Sequence, residues 1–118
     1  MNAVILIGRL TKENELRYIP DSETAVIENN LAVDRMNGKD EADFPRIKVF
    51  GKQAENMNRF THKGSKVAIQ GRIQTGSYKN KEGQTVYTTD VLVDRVEFLE
   101  FQKKDEPEKF ASIDEKLP

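Results

Sequence analysis

The sequence predicts an all-β fold: a small five-stranded barrel with one short helix and extended hairpin loops. Three observations carry this expectation. Apolar residues recur mostly at every second position, the period of a strand. Clusters of turn formers separate these runs, at Pro20-Asp21-Ser22, Asn37-Gly38-Lys39-Asp40 and Asn80-Lys81-Glu82-Gly83. One segment, Lys52 to His62, departs from period two and places Ala54, Met57 and Phe60 three residues apart.

The first strand is expected around Val4-Ile5-Leu6-Ile7, where apolar residues fill both faces as in a strand buried on both sides. Gly8 then marks a bend or bulge. Leu31-Ala32-Val33 forms the core of a second strand. From Phe44 to Phe50 the alternation is clean: Ile47 and Val49 point one way, and Phe44, Arg46, Lys48 and Phe50 the other. Lys52 to His62 reads as a short amphipathic helix ended by Lys63-Gly64. Val67, Ile69, Gly71 and Ile73 then share the face of a fourth strand, with Gln70, Arg72, Gln74 and Tyr78 opposite. Tyr78, the turn with Gly83, and Val86-Tyr87 make a hairpin. The last strand runs to about Phe98, with Val91 and Val93 inward and a break near Asp94-Arg95. Three strands, a helix and two strands within about 100 residues fit a five-stranded OB barrel. Residues 1–102 form this domain, and the charged stretch 103–118 reads as a flexible tail.

Composition narrows the function. The chain has 118 residues, enough for one domain, and no Cys, which excludes a disulfide framework and a thiolate zinc site. Its single His, His62, argues against a His-based metal cluster and a Ser-His-Asp triad. No nucleophile–base pair or phosphate loop stands out, so an enzyme is not expected and no cofactor is called for. The apolar start ends after about six residues and lacks a basic flank, too short for a signal peptide or a spanning helix. A cytoplasmic protein without a membrane partner is the expectation.

The formal net charge of −1 does not announce nucleic acid, but its distribution does. Residues 46–81 hold nine bases against one acid, a net +8, whereas residues 13–43 come to −6. Where the basic segment begins, Phe44, Arg46, Lys48 and Phe50 alternate aromatic and cationic groups on one side of a strand. A base stacks on a ring for about 1–3 kcal/mol, and neighbouring phosphates release counterions to Lys and Arg. Tyr78 extends this platform. The pattern alone leaves Phe44 and Phe50 open between a stacking platform and a contact covered by protein. His62 is expected on the surface, and Met57 and Phe60 in the core.

These residues carry a likeness. Asn2-Ala3-Val4-Ile5-Leu6-Ile7-Gly8-Arg9-Leu10-Thr11-Lys12, Glu15-Leu16-Arg17-Tyr18, Leu31-Ala32-Val33-Asp34-Arg35, Glu41-Ala42-Asp43-Phe44, Val49-Phe50-Gly51-Lys52-Gln53-Ala54-Glu55-Asn56, Lys63-Gly64-Ser65, Gly71-Arg72-Ile73-Gln74-Thr75 and Tyr87-Thr88-Thr89-Asp90-Val91 follow one another in order. Together they resemble the bacterial and phage single-stranded DNA-binding protein (SSB) family. The resemblance implies an OB fold, a homotetramer, and sequence-tolerant binding of single-stranded DNA in replication, recombination or repair, without catalysis. It implies that Phe44, Phe50 and Tyr78 stack bases. Arg46, Lys52 and Lys63 match phosphate-contacting positions, and Arg9, Arg35, Lys48, Lys66, Arg72 and Lys79 complete the set expected to meet the backbone.

The chain departs from the family in several places. It has no Trp, so stacking rests on Phe and Tyr. Gly76 stands where the family often has a basic residue. The 35–41 loop is short and lacks an aromatic. Long members end in an acidic tip that recruits replication and repair proteins. Here Ile113-Asp114-Glu115-Lys116-Leu117-Pro118 is a degenerate version of it, with Lys116 among the acids and no final Phe. Partner recruitment is therefore not carried over. A short chain of this kind suggests a phage, plasmid or accessory copy in a bacterial cell. Two other functions stay open on sequence grounds: an OB-fold protein-interaction or assembly module, which would bury Phe44 and Phe50 in an interface, and an RNA binder.

Overall fold

Strand runs of alternating character fold into a ring that closes on itself. The computed structural model describes residues 1–99, so the tail expected over 103–118 and its tip lie outside the described residues. In chain order the elements are β1 (Val4–Leu10), β2 (Arg17–Tyr18), β3 (Ala25–Asp34), β4 (Ala42–Asp43), β5 (Arg46–Phe50), α1 (Lys52–Phe60), β6 (Lys66–Lys79) and β7 (Thr85–Phe98). The five long strands pair in the order β1-β6-β7-β5-β3, and β3 returns to β1 through Arg9 opposite Ala32 and Leu10 opposite Leu31. Closure leaves the ring no free edge, the usual hazard of a sheet. All pairings are antiparallel except β5 with β7, which run parallel through Ile47–Val91 and Lys48–Leu92. The short strands β2 and β4 each add a two-residue ladder to β3.

The core is the inner face of this ring. Leu10, Ile27, Leu31, Ile47, Val49, Val67 and Ile69 are almost wholly buried there, with Val91 and Val93 beside them. The inward residues anticipated for β5 and β7 are these same side chains. The helix plugs one flank. Ala54 and Met57 face inward, and α1 packs against β3, β5 and β7. Gly51 starts it with φ at +69°, a conformation that favours glycine.

Three expectations change. Ile5 and Ile7 are exposed, so β1 buries Val4, Leu6 and Leu10 on one side only. Strand β1 also runs through Gly8 without a break. Gly8 sits where the strand passes from β6 to β3, and a Cβ there would lie 2.5 Å from the Ala32 carbonyl oxygen. Ile73 keeps its alternation but is exposed, because beyond Gly71 every residue of β6 projects past the core. The two strands continue outward together as a hairpin arm closed by a turn at Asn80–Gln84.

The break foreseen near Asp94 is a bulge. Gln70 pairs with Arg95 and Gly71 with Val93, leaving Asp94 as the extra residue. Gln53 of α1 satisfies the backbone this frees: its Nε2 donates to the Asp94 carbonyl at 2.7 Å, and its Oε1 accepts from Val96 N–H at 2.9 Å. A buried amide relay holds the other end of the helix. Asn29 donates to the Lys12 carbonyl and to Asn14 Oδ1, and Asn14 donates to the Met57 carbonyl and to Thr61.

Candidate nucleic-acid interface

Register sets out the outer face of β3, β5 and β7 row by row. Val26 lies opposite Phe50, Glu28 opposite Lys48 and Asn30 opposite Arg46. On the other side of β5, the parallel pairing brings Asp90 beside Arg46. Phe44 precedes β5 on this face. Its backbone is fixed by Asn30 Nδ2 donating to the Phe44 carbonyl at 3.0 Å and by Leu31 N–H donating to the Pro45 carbonyl at 3.1 Å. Phe50 ends the strand just before Gly51, whose N–H donates to the Ala25 carbonyl at 2.7 Å. Phe44 is 61% exposed, Phe50 is partly covered at 37%, and Tyr78 on the arm is 57% exposed. Tyr78 lies close enough to Arg46 to act on its charge. The three aromatics therefore stand around one cationic strand.

The cations between them are not bare. Arg46 makes a two-pronged pair with Asp90, through Nε to Oδ1 and through Nη2 to Oδ2, the latter at 3.0 Å. Lys48 Nζ lies 3.6 Å from Asp90 Oδ2 and 3.7 Å from Glu28 Oε1, and Arg17 reaches Glu28 at 3.3 Å. The result is an alternating charge ladder, Arg17–Glu28–Lys48–Asp90–Arg46, running across four strands. Hydrogen bonding from Arg46 holds the Asp90 carboxyl below its ordinary value, against the opposing effect of burial, with Lys48 adding to the depression. The Arg46 guanidinium is raised in turn, first by its hydrogen bonds to Asp90.

The remaining candidates divide into two groups. Arg35 is held by Asp43 at 2.9 Å and Glu41 at 3.0 Å across the loop between β3 and β4, and Asp43 raises its pKa by hydrogen bonding. Arg72 pairs with Asp94 at 2.6 Å, and Arg9 donates to the Gly64 carbonyl at 2.9 Å. Lys52, Lys63, Lys66 and Lys79 have no ion pair among the described residues. Lys52 opens α1 directly after Phe50 and Gly51; Lys63 follows the helix; Lys66 lies across from Arg9 on β1. Lys79 is on the arm, on the face opposite Tyr78, since neighbours along a strand point to opposite sides. His62 lies past the end of α1, partly exposed, with Nδ1 3.7 Å from Glu13 Oε2.

Sequence reading missed Glu28 and Asp90 as residues of this face. Period two from Val91 and Val93 did point Asp90 outward. That it meets Arg46 depends on a parallel pairing between segments more than forty residues apart, which no local pattern reveals.

The sequence matches the Single-strand binding protein family over residues 1–99. The chain belongs to that family. Among similar proteins, the family member named Single-stranded DNA-binding protein of Clostridium tetani is 50% identical over 107 residues, covering 88% of this chain and 74% of that one. Single-stranded DNA-binding protein 2 of Clostridium acetobutylicum is 50% identical over 106 residues, with 87% of this chain and 80% of its own length covered. Single-stranded DNA-binding protein 4 of Streptococcus agalactiae is 46% identical over 122 residues, with 100% and 86% covered. No helix among the described residues is long and apolar enough to cross a membrane.

Proposed function

We infer that this family member binds single-stranded DNA without sequence readout and protects it during replication, recombination or repair, acting as a binder and not as a catalyst. The observation that carries this is the outer face of β5: Phe44 and Phe50 both reach solvent on either side of Arg46 and Lys48, with Tyr78 near Arg46. Every base offers a π-face, so rings in a row accept any sequence, and cations alongside take the phosphates. Lys52, Lys63, Lys66 and Lys79 contribute charge that no ion pair among the described residues takes up. Arg46 and Lys48 present theirs beside carboxylates, which orients them and lowers their net pull.

Assembly and location belong to the same reading. Exposed Ile5 and Ile7 on the outer side of β1 support a homotetramer, since apolar side chains of this size gain burial only against another surface. The setting is the cytoplasm of a bacterial cell, with a phage-encoded origin compatible with it.

Titration of labelled oligo-dT tests the function. The wild-type chain binds at low salt, and Phe44→Ala and Phe50→Ala each weaken binding by about 1–3 kcal/mol while melting normally. Absence of binding at low salt overturns the reading in favour of a protein-interaction module. Tighter binding to oligo-U than to oligo-dT replaces DNA by RNA. Solution mass with and without a long strand checks the tetramer in the same samples.

A further inference from the structure

The hairpin arm has two faces, and the aromatic platform described so far uses only the one that carries Tyr78. Tyr78 lies opposite Val86 and shares its face with Gly76 and Thr88. The next residues point the other way. Tyr87 lies opposite Ser77, Lys79 opposite Thr85 and Thr75 opposite Thr89, so these six side chains share the reverse face. Tyr87 is 81% exposed in the middle of a regular strand. A ring this open contributes almost nothing to folding, and its apolar surface gains only when something covers it. Lys79 sits diagonally from Tyr87 across the ladder, within reach of a group stacked on that ring. Neither Lys79 nor Lys81 at the turn has an ion pair among the described residues. The one acid of the arm between Arg72 and Thr89 is Glu82, in the turn.

We propose that the reverse face of the arm is a second contact for single-stranded DNA, with Tyr87 as its stacking ring and Lys79 and Lys81 as its phosphate contacts. This extends the proposed function and rests on it. The chemistry repeats that of the first face at smaller scale: an open ring, a cation one diagonal away, and hydroxyls from Ser77, Thr75 and Thr89 able to donate to phosphate oxygens. The charge balance favours a polyanion over an acidic or neutral protein surface. A strand that has filled Phe44, Phe50 and Tyr78 reaches Tyr87 only by passing over the edge or tip of the arm. Occupancy of the second face therefore depends on strand length.

The absence of Trp makes the test direct. The three tyrosines are Tyr18, Tyr78 and Tyr87, so a variant carrying Tyr18→Phe and Tyr78→Phe emits from Tyr87 alone. Oligo-dT of about 10 nucleotides should bind this variant with little change in emission, whereas oligo-dT several times longer should quench it. Tyr87→Ala should lower affinity for the long strand roughly 5- to 150-fold and leave the short one unchanged. Tyr87→Phe should retain long-strand affinity, and unchanged melting of both variants excludes a folding effect. Tight long-strand binding with unquenched Tyr87 and an unaffected Tyr87→Ala overturns the second contact and leaves the outer-face reading intact. A drop in assembly mass in Tyr87→Ala, with DNA affinity per protomer unchanged, assigns the face to a protein contact and overturns the proposal. Failure of the wild-type chain to bind either strand overturns both readings together.

Discussion

Asp90 carries more of the proposed binding face than its acidic charge suggests. Its carboxylate is nearly buried, receives both prongs of Arg46 and faces Lys48 as well. A carboxylate on a DNA-binding surface repels phosphate, yet this one fixes the guanidinium of the strand that carries Phe50. Asp90→Asn keeps the shape and removes the charge. It should lower stability by about 1.5–3 kcal/mol, the usual range for a hydrogen bond to a charged group. It should also steepen the fall of DNA affinity with salt, because Arg46 and Lys48 lose an internal counterion. The pH dependence has a definite sign. The folded carboxyl titrates below its unfolded value of about 3.9, so its contribution is complete above that pH and is lost as pH falls through the folded value. Urea unfolding from neutral to acid pH should show this loss in the wild type and a shallower decline in Asp90→Asn.

The strands and the helix show what local pattern reveals and what it leaves hidden. Residues 46–50 were legible because period two alone puts Ile47 and Val49 inside and Arg46, Lys48 and Phe50 outside. The helix was legible from Ala54 and Met57, and the arm from Gly83 between two β-rich runs. Ile5, Ile7 and Ile73 were not, because an apolar residue at the right period does not say whether its own chain reaches far enough to cover it. The partnership of Glu28 and Asp90 with the cations depends on cross-strand register, which is non-local. Close approach of backbones is hidden in the same way. At Gly71 a Cβ would stand 2.1 Å from the Leu92 carbonyl oxygen, beside the bulge that Gln53 holds. Gly71→Ala should destabilise the chain by roughly 1–3 kcal/mol or more, read from the urea midpoint, since the obstacle is backbone and cannot swing aside. Gly76→Ala meets only the Thr88 hydroxyl at 3.2 Å and should be far milder.

At the scale of the whole molecule, folding mixes what the sequence keeps apart. The acidic segment 13–43 contains β3 and the basic segment 46–81 contains β5, and these two strands pair. Glu28 thus lies opposite Lys48, and the +8 of the basic segment does not become a uniformly positive face. The salt response should reflect this. The four lysines Lys52, Lys63, Lys66 and Lys79, which have no ion pair among the described residues, predict a log–log slope near −3 per protomer from these contacts, at about 0.7 per phosphate on single strands. Lys52→Ala or Lys63→Ala should each flatten it by about 0.7. A much steeper slope would mean that Arg46 and Lys48 exchange their carboxylates for phosphate on binding.

The ring also imposes an order on its own making. Strand β7 lies between β6 and β5, so the seam at Ile47–Val91 closes only when both partners are in place. While the chain is being synthesised, β3 and β5 exist long before β7, and β5 waits with one edge unpaired. Contacts this distant in sequence make folding slow for the chain's size, on the order of milliseconds to seconds. During that interval Phe44 and Phe50 lie next to an open strand edge, the arrangement most prone to pairing with another chain. The strand that carries Asp90 thus ends the exposure of the nascent chain in the same step that completes the surface proposed for DNA.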